Sequence, residues 1–396
     1  MLKYITIIFA LLLAILDIWA YRRISRSVLN RFIKKLSAVL LVLANAIPFS
    51  VPAFMFIFNN DDNGTVMMKV SMVLLTMFLA LTLCRLVFYI FWLPTKRKVW
   101  MYTGFAISMV LLSVMMYGIT VTRTDYKINE VELRYSNLPE GFDGYRVAFV
   151  SDIHVGSMYN AERELEKLAG VVESTRADIL VFGGDLVNLH HSELTPGVLE
   201  KLSLLKGREG VLAVLGNHDT GSYLKDSLKT PRNVNKDMIE DKVNGIGWTM
   251  LRDSTVYLYN GGDSISVTGL DYGDDLLKYR HKFTNIYKHD VSHLYSGIDK
   301  DVFNITISHL PQLWHKICHD GCSDLTLSGH VHAMQFKYNI LGYVISPANI
   351  MYKHWSGLYE LENGKLYIND GIGTVGFFAR FGANPEVTVI TLRCER

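Results

Sequence analysis

The chain has 396 residues, enough for two domains of ordinary size, and its net charge of +2 gives no reason to expect nucleic acid as a partner. Four cysteines exclude a disulfide-built scaffold, and no internal repeat or low-complexity tract is present. The averages hide an asymmetry: residues 1–120 are mostly apolar, and the remainder has the composition of a soluble protein.

About 20 apolar residues in a helix cross the hydrocarbon core of a bilayer. Four stretches reach that length, roughly 4–21, 36–58, 66–92 and 99–120. The first lacks the basic leader and small-residue cleavage site of a signal peptide, and further spans follow it, so it reads as a span. The second carries Pro48 and Pro52, which a membrane helix tolerates as kinks. The loops give orientation. "YRRISRSVLNRFIKK" holds six Lys or Arg and no acid, "NNDDNGT" holds two Asp and no base, and "TKRK" holds three bases. By the positive-inside rule the first and third loops are cytoplasmic. Everything after residue 120 then lies outside the cytoplasm. Asp17 and Arg85 interrupt the apolar runs. Both lie near expected cytoplasmic ends, so snorkelling accounts for them as well as function does.

From about Val131 the pattern changes. "YRVAFVSDIH", "ADILVFGGDL", "GVLAVLGNHD", "NITISHLP" and "DLTLSGHVH" are short apolar runs that end in polar residues. Runs of this kind are buried strands. Helical patterns lie between several of them, such as "NAERELEKLAGVVEST" and "LPQLWHKICHDG", and this alternation predicts an α/β sandwich. "ELENGKLYI" predicts a hairpin turning at Asn363 and Gly364. The fold expected is a multi-pass α-helical membrane domain of four helices over 1–120, then a linker and first strand over 121–144, then the sandwich over 145–396.

In such sheets ligands bind beyond the carboxyl ends of strands. Here those ends carry Asp152 and His154, Asp185, Asn217, His218 and Asp219, His309, and His330 and His332. Alternate residues of an extended segment point the same way, about 7 Å apart. Asp152 with His154, or His330 with His332, can therefore converge. Mixed carboxylate, amide and imidazole ligands suit Mn, Fe or Zn. A two-metal centre has its ions about 3.5–4 Å apart and binds a phosphate through surplus positive charge. The eight other histidines read as surface or capping residues. Cys318 and Cys322 lie four apart; outside the cytoplasm such a pair could be oxidised, while the short loop between them works against a bridge. Phe336, Tyr338, Tyr343, Tyr352 and Trp355 flank the last motif and read as core or hairpin packing; any that rim the site would suit a lipid interface.

At these residues the sequence resembles the calcineurin-like metallophosphoesterase superfamily, over roughly 130–396. The motifs are "SDIH", "GGDL", "GNHD", "ISHLP" and "SGHVH". "LPEGFDGYRVAFVSDIHVG" and "RFGANPEVTVITL" resemble the bacterial branch with membrane or export segments. The resemblance implies two divalent cations, Mn first, with Fe or Zn as alternatives. Asp152, His154, Asp185 and His332 would bind one, and Asn217, His309 and His330 would complete the second, with Asp185 bridging. His218 would protonate the leaving oxygen and Asp219 would orient it. The branch often has Gly-Gly-Gln after its last histidine. Here Ala333, Met334 and Gln335 follow, which implies a changed substrate entrance beside His332.

The expected activity is hydrolysis of a phosphate or pyrophosphate ester, with membrane lipids as surroundings and a lipid-linked substrate outside the cytoplasm. A second reading is hydrolysis of UDP-2,3-diacylglucosamine in lipid A synthesis, which relatives perform; that substrate is cytoplasmic, so the loop charges oppose it. A third is a phosphate receptor or transporter that uses the fold only for binding. The intact ligand set and the lack of paired charges among the spans oppose it.

Overall fold

The computed structural model describes residues 2–27, 30–57, 64–95, 97–223, 231–273, 276, 290–299, 301–319, 323–361 and 364–395. The chain divides into two compact units, Met1–Thr120 with Gly376–Ala379, and Val121–Val375 with Arg380–Arg396.

The first unit contains the helices α1 (Leu2–Ser27), α2 (Arg31–Ile57), α3 (Gly64–Trp92) and α4 (Lys98–Thr120). Among the described residues three helices are long and apolar enough to cross a membrane, over Arg31–Ser50, Gly64–Trp92 and Lys98–Thr124. The four-span expectation is thus met for three. Asp17 and Arg85 correct the snorkelling reading, because they pair with each other. The buried Asp17 carboxylate also accepts from the Tyr89 hydroxyl and, at 2.5 Å, from Asn45 Nδ2. Arg85 donates to the Ala44 carbonyl at 3.1 Å. A charge among apolar helices is costly alone, and this network neutralises it. The premise that the spans lack paired charges therefore fails. Arg23 donates to the carbonyls of Trp92 and Leu93 at 2.8 and 3.0 Å, closing the end of α3, whose last carbonyls have no partner within the helix.

The second unit is a sandwich of two six-stranded sheets. Its strands are β1 (Lys127–Tyr135), β2 (Arg146–Val150), β3 (Ile179–Phe182), β4 (Val211–Ala213), β5 (Trp248–Met250), β6 (Ser254–Asn260), β7 (Asp263–Gly269), β8 (Asn304–Ile307), β9 (Leu325–Ser328), β10 (Tyr338–Ile340), β11 (Tyr343–Ile345), β12 (Gly357–Leu361), β13 (Gly364–Ile368) and β14 (Glu386–Cys394). One sheet runs β1-β14-β2-β3-β4-β5 and the other β12-β13-β9-β8-β7-β6. Strands β2, β3 and β4 are parallel, as are β7, β8, β9 and β13.

The five apolar runs form β2, β3, β4, β8 and β9, and their composition has a simple cause. Successive side chains on a strand face opposite ways. Val147 and Phe149 enter the core between the sheets with Val181, Ile305 and Leu327. Ala148 and Val150 face the other way and pack with Leu165, Leu168 and Val172 of the helix α5 (Ala161–Ser174). With both faces covered, the strands are mostly apolar, and the buried polar residues within them, such as Asn304 and Thr306 of β8, are hydrogen-bonded. Each large side chain buried this way contributes roughly 1.5–3 kcal/mol. Helix α5 starts where Asn160 accepts from the Arg163 amide at 3.1 Å, and it buries Leu165, Leu168, Ala169 and Val172, one face of a 3.6-residue period. The expected "LPQLWHKICHDG" helix is a 3₁₀ turn, Pro311–Leu313, running into the helix Trp314–His319. The hairpin β12–β13 pairs Leu361 with Gly364; Asn363, placed in its turn by the sequence, lies outside the described residues. Cys322 does too, while Cys318 is buried and free.

The pair β10–β11 joins neither sheet. Its turn residues Leu341 and Gly342 have φ of 53° and 87°. Two positive φ values mark the type I′ hairpin turn, where asparagine is favoured at the first position. A leucine there carries strain, and its side chain is 94% exposed, so no packing offsets it. Leu341→Asn should therefore raise stability by about 1 kcal/mol. Chemical denaturation of the two proteins in the same detergent checks this, and a lower midpoint for the variant would refute the turn geometry.

Candidate metal centre

The polar residues that follow β2, β3, β4, β8 and β9 come together beyond the carboxyl ends of those strands. The loop after β2 runs along the loop after β3: the amides of Asp152, His154 and Val155 donate to the carbonyls of Gly184, Asp185 and Leu186 at 2.9, 3.1 and 3.0 Å. Gly184, at φ 93°, allows the next approach, since a Cβ there would lie 2.8 Å from Gly216 N and His309 Nδ1. Gly329 does the same for the last motif, where a Cβ would overlap Ser151 Oγ and Asp152 Oδ2.

Two clusters result. In one, ligand atoms of Asp152, His154, Asp185 and His332 all lie within 4.8 Å of one another; in the other, those of Asp185, His309 and His330 do. Asp185 belongs to both. Its Oδ2 stands 3.6 Å from His154 Nε2 and 3.3 Å from His309 Nε2, while its Oδ1 accepts from the His218 amide at 2.8 Å. His332 Nε2 lies 3.0 Å from Asp152 Oδ1 and 3.2 Å from His154 Nε2. Asn217 Oδ1 lies 3.1 Å from His309 Nε2.

His309 tests whether this donor set fits a cation. Its Nδ1–H donates to the Gly183 carbonyl at 2.8 Å, because a carbonyl can only accept. Nε2 faces two oxygen acceptors, Asp185 Oδ2 and Asn217 Oδ1. Three such atoms repel unless positive charge lies among them. A ligand histidine ordinarily anchors its other ring nitrogen in this way.

The charges agree. Burial works to raise the Asp152 and Asp185 carboxyls, but the surrounding histidines outweigh it and hold both well below the usual carboxylate range. Burial lowers His154, His218 and His330, the last to about 3. His309 goes the other way, to about 9, because Asp185 draws positive charge to it against the effect of burial. Two ionised carboxylates beside the lowered imidazoles of His154 and His330 form a well for cations.

The backbone is strained at the same place. Asp152, His154, Asp185, His330 and His332 all have φ between 46° and 71°, a region non-glycine residues seldom enter. From His332 to Gln335 four consecutive residues are left-handed. Ala333 and Met334 thus occupy positions where glycine would be at ease, which gives a physical reason for the glycines of the related branch.

The calcineurin-like phosphoesterase family model matches residues 145–344, just over half of the chain. The chain belongs to this family. The metallophosphoesterase YkuE of Bacillus subtilis is 28% identical over 271 residues, 67% of this chain and 84% of that one. A transmembrane protein with metallophosphoesterase domain from Danio rerio is 26% identical over 297 residues; the match covers 72% of this chain and 62% of that protein. The UDP-2,3-diacylglucosamine pyrophosphatase LpxG of Chlamydia trachomatis is 25% identical over 305 residues, 65% of this chain and 87% of that one. This phosphoesterase is a metal-dependent phosphoric ester hydrolase with apolar helices fit to cross a membrane.

One role implied by resemblance is corrected. The fully buried Asp219 carboxylate does not orient His218. It accepts from the amides of Asp185 and Gly216, both at 2.8 Å, and of Val187 at 3.0 Å. It ties the loop after β3 to the loop after β4. His218 is held instead by its own Nδ1–H, donated to the Asn188 carbonyl at 2.6 Å, with the Tyr223 ring stacked on it at 4.1 Å. Tyr223 also accepts from Asn217 Nδ2 at 2.8 Å. Nothing in the sequence marked Tyr223. Arg380 was visible in "RFGANPEV" but without a role. It is fully buried and donates to the carbonyls of Asp370, Gly373 and Ala383 at 2.7–3.0 Å. The loop it holds donates the Ile372 and Gly373 amides to the Asp152 carbonyl at 3.3 and 2.8 Å. Arg380 therefore positions the Asp152 backbone. Burial lowers its guanidinium to about 10, so it stays charged at neutral pH.

Of the flanking aromatics, Trp355 is buried with Val331 and Ala333, Tyr352 packs beside it, and Tyr338 and Tyr343 are exposed on the hairpin. Of the histidines read as surface or capping, His190 caps a 3₁₀ turn by accepting from the Ser192 amide, and His281 and His289 lie outside the described residues.

Proposed function

We propose that the chain is a membrane-anchored, dinuclear phosphoesterase acting on a lipid-linked phosphate or pyrophosphate ester at the extracytoplasmic face of a bacterial inner membrane. One observation carries the dinuclear reading: Asp185 Oδ2 stands between His154 Nε2 and His309 Nε2. Asp152, His154, Asp185 and His332 would hold one cation, and Asp185, Asn217, His309 and His330 the other, with Mn first and Fe or Zn as alternatives. Such a pair, when bound, makes water nucleophilic near neutral pH and neutralises charge on the phosphoryl oxygens. His218 supplies a proton to the leaving oxygen, with its ring fixed by Asn188 and Tyr223. Asp219 acts on the loops rather than on the proton.

Sidedness rests on the loop charges. Nine basic residues lie on the first and third loops and none on "NNDDNGT". We read 1–120 as four spans, 121–144 as linker and first strand, and 145–396 as the catalytic domain. The likeness to LpxG supports a second reading, a pyrophosphatase acting on UDP-2,3-diacylglucosamine, which requires the catalytic domain on the cytoplasmic side. A C-terminal reporter pair, alkaline phosphatase against a fluorescent protein, separates the two. Alkaline phosphatase activity is expected. A fluorescent C-terminus would overturn the extracytoplasmic assignment. A phosphate-release screen over lipid and nucleotide phosphates with Mn²⁺ then tests the substrate class, and a strong preference for soluble nucleotides would sink the lipid-linked reading.

A further inference from the structure

The hairpin β10–β11 begins three residues after Gln335, the end of the strained turn that carries His332. It is bound to that turn, since Ser346 Oγ donates to the Ala333 carbonyl at 2.8 Å and the ring of Tyr352 stands 6.4 Å from that of His330. Every residue of both strands is exposed, on both faces. Tyr338 packs on Phe336, while Ile340, Leu341, Tyr343 and Ile345 are 46–94% exposed, and Ile350 nearby is 89% exposed. Scattered exposed apolar residues are ordinary, but a contiguous group of them marks an interaction surface. A two-stranded hairpin alone is marginal in water. This one also places a leucine, 94% exposed, at a turn position that strains it.

The charge pattern indicates what covers the hairpin. From Leu325 to Tyr359 there is no Asp or Glu. Lys353, two residues after Met351, is exposed, while Lys337 is committed to Asp370 at 2.6 Å. A protein partner with basic groups would find no acid to pair with. Anionic phospholipid headgroups would meet Lys353 at the rim and apolar side chains at the tip, with a tyrosine at the depth where Tyr partitions. The chain also carries helices fit to cross a bilayer, so a lipid surface is part of its surroundings.

We propose that the hairpin Tyr338–Ile345, with Ile350 beside it, enters a phospholipid surface to interfacial depth and holds the metal centre where lipid headgroups are presented. The lipid provides a partner for the side chains that water leaves exposed, and Lys353 favours an anionic surface. Its consequence for substrate choice rests on the lipid-linked reading above; the docking itself does not.

Two measurements on the full chain in phosphatidylglycerol-containing nanodiscs test it. The first places a photoreactive benzophenone residue at Leu341 and, as control, at exposed Tyr259 on β6. Crosslinks to phospholipid are expected from position 341 and not from 259. Equal lipid labelling at both positions, or crosslinks from 341 only to another copy of the chain, overturns the docking. The second compares Leu341→Asn/Ile350→Gln with the parent on a soluble aryl phosphate and on a lipid phosphate in the disc. Soluble turnover should stay within twofold while kcat/KM for the lipid phosphate falls tenfold or more, through KM. Equal losses on both substrates overturn the proposal. Absence of any lipid-phosphate turnover by the parent, with the crosslink intact, would instead fail the lipid-linked reading and leave docking standing. Asparagine suits the strained turn, so misfolding does not obscure the result.

Discussion

Replacing Asp185 by asparagine should empty both metal positions together. Asp185 Oδ2 is the oxygen that faces histidines of both clusters, at 3.6 and 3.3 Å. Asparagine keeps the shape and can still accept from the His218 amide, but it removes one of the two carboxylates of the donor set. Two divalent cations would then face Asp152 alone. Metal analysis of protein purified with Mn²⁺ should fall from two ions per chain to less than one, and aryl phosphate turnover should fall by at least ~10³-fold. His330→Ala makes the contrast. That side chain belongs to one cluster only, so one ion should remain, although turnover is lost. Circular dichroism should be unchanged in both variants. An Asp185→Asn protein that keeps two ions would remove Asp185 from the bridging position.

What could be read from the chain beforehand follows from burial. Strands β2, β3, β4, β8 and β9 were legible because both faces of each are covered, so their sequences are rich in Val, Ile and Leu and stop where the site begins. Strands β6 and β7 were not. The edge strand β6, "STVYLYN", is half exposed, so its pattern is diluted. The donor residues were legible as residue types at strand ends. Their backbone was not, since positive φ is ordinarily announced by glycine, and Asp152, His154, Asp185, His330 and His332 adopt it without one. Tertiary packing over-determines these positions, as it does where strain serves a site.

Two errors share a cause. Asp219 follows His218 in sequence, which suggested that one acts on the other. In the fold its carboxylate turns to the amides of Asp185 and Val187, far away in sequence, and of nearby Gly216, and the histidine finds the Asn188 carbonyl instead. Asp17 and Arg85 made the opposite case: they are separated in sequence and looked like isolated charges, yet they pair. Polar groups seek whichever partner burial leaves them, and sequence distance is a poor guide to that choice.

His218→Asn is the variant that separates binding from proton transfer. The His218 ring has its Nδ1–H committed to Asn188 at 2.6 Å, so Nε2 is the atom free to exchange a proton with substrate. The ring belongs to neither metal cluster, and its centroid lies 4.8 Å from that of His154. The amide side chain of the variant can still hydrogen-bond but cannot carry a proton across. Metal content should stay at two per chain, while turnover of an alkyl phosphate falls by about 10²–10⁴-fold, the usual contribution of a positioned acid. A nitrophenolate leaves without protonation, so the loss on an aryl phosphate should be small. The slope of log kcat against leaving-group pKa should therefore steepen in the variant. If both substrates lose the same factor with metal content unchanged, His218 acts by binding the phosphoryl group, and the proton must come from elsewhere in the site.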